Sequence, residues 1–194
     1  MRVFLLARHA QSRLNVERRV NGDPALEVPL TEQGLAEAAR LGLQVANLAL
    51  DVAVHTRFGR TEATLRAALG DRHVTLHEEP LFDDIDVGDL EGRTIDEYRA
   101  WKHEHRRSDP FPGGESLDDA ARRYARADRS LLALDAERVL VVCHEIPVRY
   151  LLNAAAGSTD LDGPAHDIPN ATPFAFGETE LARAADAVAR LVPV

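Results

Sequence analysis

Cysteine is nearly absent: Cys143 stands alone in 194 residues. A single thiol cannot close an intrachain disulfide or furnish the thiolate clusters of structural zinc sites, and it fits a reducing compartment. Positive charge is also short. The formal net charge is -9, which sets aside general nucleic-acid binding, because such proteins need a basic field to neutralise phosphates. Small phosphate esters stay open, since a few local arginines can reverse the field inside one pocket. No apolar run reaches the roughly 18 residues that a membrane helix needs, so no membrane partner is expected. The opening Met-Arg-Val-Phe-Leu-Leu-Ala-Arg-His-Ala-Gln-Ser has too short an apolar stretch for a secretory leader and no small-residue cleavage pattern. A soluble cytoplasmic protein is the expectation. Repeats and low-complexity tracts are missing too. What is there is the ordinary balance of a globular chain, 45% apolar and 28% charged, long enough to bury one core. Residues 1–194 read as a single domain.

Residues 2–7 form a nearly continuous apolar run, the pattern of a strand buried on both faces. Residues 8–29 read as a long polar loop. Thr31 is a good N-cap for a helix to about Leu48, with Leu35, Ala38, Ala39, Gly42, Val45 and Ala46 on one face. Asp51–His55 reads as a strand, Gly59–Leu69 as a helix and Val74–His77 as a short strand. The acidic stretch 78–92 reads as a loop. Residues 94–107 read as a helix with a basic end from Trp101 to Arg107, either an exposed helix end, the favoured reading, or a contact for an acidic substrate, stopped by Asp109-Pro-Phe-Pro-Gly-Gly114. His103 and His105 are two apart, so on a helix they diverge and make a poor metal pair.

Ser116 caps the next helix, with Asp118 and Asp119 in its first turn and Leu117, Ala120, Ala121, Tyr124, Leu131 and Leu134 on its apolar face. Val139–Val142 is the clearest buried strand, and Pro147 suits the first turn of a helix to about Ala155. Thr172–Phe176 reads as an edge strand and 178–191 as a helix. Strands alternating with helices imply an α/β fold: a three-layer sandwich with a mainly parallel central sheet flanked by helices. The stretches 93–115 and 157–171 are the segments free to cover a site.

Two histidines fall where such a sheet binds ligands. Arg8-His9 follows the first strand and His144 follows the Val139–Val142 strand, and open α/β sheets take ligands outside the carboxyl ends of their strands. A helix starting after His144 adds backbone N–H groups and a positive dipole end. Arg8 supplies a planar fork for phosphate oxygens. Arginine beside the histidines points to an anion site with a nucleophilic imidazole rather than to a metal site.

Six blocks in order carry a resemblance. Leu6-Ala-Arg8-His9-Ala10-Gln11-Ser12-Arg13-Leu14-Asn15 resembles the strand-end R-H-G-E-[ST]-x-x-N motif of the histidine phosphatase superfamily, which includes the cofactor-dependent phosphoglycerate mutases. Val28-Pro-Leu-Thr-Glu-Gln-Gly34 is similar to its P-L-T-x-x-G helix start. Asp51 to Thr64, with Thr56 and Arg60, resembles the segment carrying its second phosphate arginine. Asp84-Ile-Asp-Val-Gly88-Asp-Leu-Glu91-Gly92 resembles the segment whose first acid is the proton donor. Pro112-Gly-Gly-Glu-Ser116 matches the G-G-E-S helix start. Val139-Leu-Val-Val-Cys-His144, with Val148-Arg149, matches the segment holding the second histidine. The chain is closer to the small phosphatase branch than to the mutases.

The resemblance implies that His9 attacks phosphorus and becomes a phosphohistidine. It implies that Arg8, Arg60, His144 and Asn15 bind the phosphate oxygens, and that Asp84 is the general acid and base. It calls for no metal and no organic cofactor. The substrate implied is a small phosphate ester, hydrolysed; the alternatives are mutase-type transfer and a catalytically weak phosphate-binding relative. Three positions depart from the family pattern. Ala10 stands where glycine is usual and needs a backbone away from positive φ. Asp84 stands where glutamate is usual and is shorter by one C–C bond, about 1.5 Å. Glu145 stands where a small residue is common, so its side chain must turn away or pair with an arginine. Asp84 lies among Asp83, Asp86 and Asp89, so a solvated acidic loop is the alternative to a catalytic role; in the catalytic role phosphate charge, partial burial and the Asp83 and Asp86 carboxylates would raise its pKa. Glu91 is the next candidate acid, with a structural loop role favoured. Cys143 reads as a small buried hydrophobe.

Overall fold

Strand β1 (Val3–Arg8) lies inside a five-stranded sheet, its apolar run facing covered layers on both sides. The computed structural model of the protein describes residues 1–192. After β1 come a short helix α1 (Arg13–Val16), α2 (Glu32–Gln44), β2 (Val52–His55), α3 (Gly59–Leu69) and β3 (Thr75–Glu78). Then follow α4 (Ile95–Glu104), α5 (Leu117–Ala133), β4 (Arg138–Cys143), α6 (Glu145–Ala155), β5 (Pro173–Gly177) and α7 (Glu178–Leu191). The sheet order is β3-β2-β4-β1-β5. β1, β2, β3 and β4 are mutually parallel, and β5 closes one edge antiparallel to β1. This is the expected mainly parallel α/β sandwich, with β4 inserted between β1 and β2.

Each face of the sheet has its own core. Phe4, Leu6, Val139, Val141 and Cys143 pack with α5, α6 and α7. Leu5, Ala7, Ala53, Leu140 and Val142 pack with α2 and α3. The alternation along β1 and β4 therefore serves two apolar faces, which is why neither strand alternates in sequence.

Several elements differ from the sequence reading. The loop 8–29 contains α1, capped by Ser12, whose backbone N–H donates to Asn15 Oδ1 at 3.0 Å. The loop 78–92 contains two short 3-10 turns, Pro80–Phe82 and Gly88–Leu90. Thr31 does cap α2, its hydroxyl accepting from Gly34 N at 3.0 Å, but the buried face is rotated. Gly34, Glu37, Ala38 and Leu41 are inside, with Val45 just past the helix, while Leu35, Ala39 and Ala46 are exposed. The loop after β1 causes this: a Cβ on Gly34 would lie 2.1 Å from Gln11 O, and Glu37 Oε2 accepts from Gln11 N at 2.8 Å. The helix turns its glycine and a hydrogen-bonding acid, rather than Leu35, toward that loop. α4 stops at Glu104, and the basic cluster after it is divided: Trp101 stacks on His105 and packs on Phe111, while Lys102 lines the cavity described below.

α5 is capped as expected, Ser116 Oγ accepting from Asp119 N at 3.0 Å. It also buries a carboxyl. Asp128 is 2% exposed and its Oδ1 has no hydrogen-bond partner. Burial pushes this group well above its ordinary range, because the charged form loses its water. The folded state thus holds the proton more tightly than the unfolded chain. Stability from Asp128 is full below the unfolded value of 3.8 and is lost as pH rises through the folded value. Asp128→Asn should melt like wild type near pH 4. At pH 8 it should be the more stable of the two, because the asparagine carries no charge to bury. Thermal melts of both proteins across that range check this; a difference that stays constant with pH would refute it.

Candidate active site

Three parallel strands end side by side, and the residues that follow them form one hydrogen-bonded cluster beside a crevice. His9 follows β1, Thr56 follows β2 and His144 follows β4, the strand between them. His9 N donates to Cys143 O at 2.9 Å, which ties the two histidine-bearing strand ends together. The imidazoles meet edge to face with ring centroids 5.5 Å apart, and both are buried. Ala10, also fully buried, is absent from the few non-glycine residues with positive φ, so its methyl carries no backbone strain.

The tautomers follow from the partners. His9 Nδ1 lies 2.8 Å from Ala10 O, and a carbonyl only accepts, so Nδ1 carries the proton. The lone pair is then on Nε2, where Arg60 Nε donates at 3.0 Å. Arg60 Nη2 donates to His144 Nδ1 at 3.1 Å, so His144 carries its proton on Nε2, 3.0 Å from Thr56 Oγ1. Thr56 Oγ1 passes the chain to Thr61 Oγ1 at 3.0 Å, which donates to Phe58 O at 2.8 Å. Burial first and Arg60 second hold both histidines well below their ordinary pKa. Both are therefore neutral at neutral pH, with one ring nitrogen each turned to the crevice.

Arg60 is the hub. It enters from the first turn of α3 and is 5% exposed. Besides the two histidines it reaches Asp84 Oδ2 at 3.0 Å and Asn21, through both the side chain and the carbonyl O. Its guanidinium lies over the Phe58 ring, 4.3 Å from the centroid. Arg8 approaches from the β1 side: Nη1 donates to Ile168 O at 2.9 Å and pairs with Glu145 Oε2 at 3.0 Å. Its Nε is buried with no hydrogen-bond partner. Asn15 lines the same cavity.

Asp84 is aimed from behind. Gly88, at φ +50, would place a Cβ 2.1 Å from Pro112 O, so the Asp84–Gly92 loop lies flat on the Pro112–Ser116 turn. Glu115 N donates to Asp86 O at 3.0 Å. Arg123 of α5, paired with Glu115, donates to Leu81 O at 2.9 Å, Asp83 O at 2.8 Å and Asp84 O at 3.3 Å. This clamp presents the Asp84 carboxyl to Arg60 and to His144 Nδ1, 3.4 Å from Oδ2. Burial pushes Asp84 up, against the pull of Arg60. The neighbours expected to raise it are otherwise engaged: Asp83 is bound to Arg57 and Asp86 caps Gly88 N. The like charge that does act on it is Glu145. Glu91 has the structural role, accepting from Asn21, Gly22 N and Asp23 N.

Arg8, His9, Asn15, Asn21, Arg60, Asp84 and Glu145 line a cavity of about 530 Å³. The segments 93–115 and 157–171 both reach it, through Ile95, Tyr98, Arg99 and Lys102 and through Asp162, His166 and Asp167. Among the described residues no group of three His, Cys, Asp or Glu side chains is placed to hold a metal ion, and no helix is long and apolar enough to cross a membrane.

The family model of the histidine phosphatase superfamily (branch 1) matches residues 4–178. The chain belongs to that superfamily. Among curated histidine phosphatase relatives, a 2,3-bisphosphoglycerate-dependent phosphoglycerate mutase of Beijerinckia indica is 33% identical over 192 residues, covering 90% of this chain and 91% of that protein. One of the same description from Brucella anthropi is 35% identical over 175 residues, covering 81% and 83%. Among solved structures, YhfR of Bacillus stearothermophilus is 28% identical with a TM-score of 0.79 over 90% of each chain. A mycobacterial glucosyl-3-phosphoglycerate phosphatase shares the histidine phosphatase fold, with 23% identity and a TM-score of 0.73 over 90% of this chain and 92% of that one.

The structure brings Arg8, His9, Asn15, Arg60 and Asp84 to one cavity, with His144 buried against it. Sequence reasoning gave no role to Thr56, named there only as part of a matching block, and none to Asn21, Thr61 or Asn170, whose Nδ2 donates to His9 O at 2.6 Å. Thr56 was open to discovery, since it ends a third parallel strand. Asn170 carries no local signal; it is brought to His9 because Ala171 N donates to Arg8 O at 2.9 Å.

Proposed function

We propose that this protein hydrolyses small phosphomonoesters through a phosphohistidine on His9, without metal. The observation that carries the reading is His9 itself: a neutral imidazole, its Nδ1–H held by Ala10 O, with the Nε2 lone pair turned to Arg60 in a crevice shared with Asp84. In the first step the Nε2 lone pair forms the N–P bond as the P–O ester bond breaks. The leaving oxygen takes the electron pair and the proton of Asp84. In the second step water attacks phosphorus, gives its proton to Asp84, and the N–P electrons return to Nε2. Arg8, Arg60 and Asn15 donate to the non-bridging oxygens, where charge is spread in the transition state, and His144 joins them once phosphate binding brings a proton to its Nδ1.

Phosphoglycerate mutase activity is the second reading, and the curated relatives' descriptions favour it. The compact length does not count against it, because those mutases match this chain over nearly their whole length. A cavity of about 530 Å³ suits a small substrate in either reaction; the two differ in whether water reaches the phosphoenzyme. The purified protein, with a chelator present, should release phosphate from nitrophenyl phosphate and glycerol 2-phosphate without a bisphosphoglycerate primer. Primer-dependent interconversion of phosphoglycerates with negligible phosphate release would overturn the hydrolase in favour of the mutase.

A further inference from the structure

Glu145 sits where its charge should matter most. It is the first residue of α6, directly after His144, and it lines the cavity. An acid in a first helical turn is favoured by the helix dipole alone and can satisfy it from solvent. This one instead reaches back into the crevice. Its Oε2 is 3.0 Å from Arg8 Nη1, and its Oε1 is 3.6 Å from Arg149 Nη1. Arg8 cannot follow it away, because the same Nη1 is held by Ile168 O.

The cations of the lining are unevenly placed. Arg8 and Arg60 face the phosphate position at the strand ends, and Glu145 already offsets part of Arg8. Arg149, one turn further along α6, is committed to Asp162 at 2.7 Å and to Glu145, while Arg19, Arg99 and Lys102 line the cavity from the loop after α1 and from α4. Apolar side chains, among them Leu14, Val20, Val87 and Ile95, fill other parts of the lining. A dianionic phosphate finds donors here. A carboxylate on the carbon that bears the phosphate meets the Glu145 carboxylate in a partly desolvated space, where like charges are costly.

We infer that Glu145 is a specificity-determining residue: held over Arg8, it rejects phosphate esters with a second anion next to the phosphate and admits those with a neutral leaving group. The inference rests on the proposed phosphohydrolase reading and deepens it.

A matched pair of substrates isolates the effect. Glycerol 2-phosphate and 2-phosphoglycerate share the ester and differ by a hydroxymethyl group against a carboxylate on the phosphate-bearing carbon. The wild-type kcat/KM should favour the neutral ester by roughly ten-fold or more. Glu145→Gln keeps the size and the helix position and removes the charge, so it should shrink that preference by roughly ten-fold. Any general change in phosphate affinity from the freed Arg8 cancels in the ratio. A wild type that favours 2-phosphoglycerate, or a preference unchanged in Glu145→Gln, overturns the inference while leaving the hydrolase reading intact. Failure of wild type to release phosphate from either ester removes the hydrolase reading, and the inference with it.

Discussion

Replacing His9 with alanine is expected to cost at least about four orders of magnitude in turnover, the scale seen when a covalent nucleophile is removed, and to abolish acid-labile phosphoprotein. No neighbouring group can take its place. His144 has its Nε2 proton committed to Thr56, and its Nδ1 faces Arg60 and Asp84. The Cys143 thiol is fully buried and burial pushes its pKa up, so it has no thiolate to offer. The substitution should not unfold the chain, because the hydrogen bond from the His9 ring to a backbone carbonyl goes to the adjacent residue and the strand pairing is backbone. Phosphorylating wild type and His9→Ala with a labelled ester and comparing acid-labile label, alongside circular dichroism, checks this. Label that persists in a folded His9→Ala protein would sink the assignment.

Asp84→Asn should separate substrates by their leaving groups. An alkoxide leaves poorly without a proton, whereas nitrophenolate departs unaided. Hydrolysis of glycerol 2-phosphate should fall by about a hundred-fold or more, the typical contribution of a general acid, and nitrophenyl phosphate should be largely spared. The pH dependence has a definite sign. Burial raises the Asp84 pKa, so the protonated acid persists to higher pH than an ordinary aspartate. Activity on the alkyl ester falls as pH rises through that value, and in Asp84→Asn this limb disappears. Asp84→Glu should keep the acid and the substrate pattern. Equal losses on both esters, or the selective loss appearing in Glu91→Gln, would place the acid elsewhere.

The elements were legible where one local rule decides them. Gly59–Leu69 and 178–191 form helices over those very residues, and Thr31 and Ser116 cap as their side chains allow. The histidine pair was legible because a strand end fixes where the next residue points. What was not legible depends on partners distant in sequence. Leu35 is outside because Gly34 and Glu37 answer the backbone of Gln11. The raised pKa of Asp84 comes first from burial rather than from the acids beside it in sequence, of which Asp83 is held by Arg57 and Asp86 by a backbone amide. The sequence reading allowed Glu145 to turn away or to pair with an arginine; only the fold selects Arg8, 137 positions earlier, as that partner.

Strand β4 enters the sheet last of the four parallel strands and takes the place between the first two. A chain emerging from the ribosome can complete residues up to Glu78 and still own not even half of the pocket: β1 pairs with β4 and β5, so His9 on β1 and Arg60 beyond β2 wait for the strand that joins their sides of the sheet. Unfinished or C-terminally truncated chains therefore carry no assembled phosphate site, and competence arrives in one piece with the strand that closes the sheet.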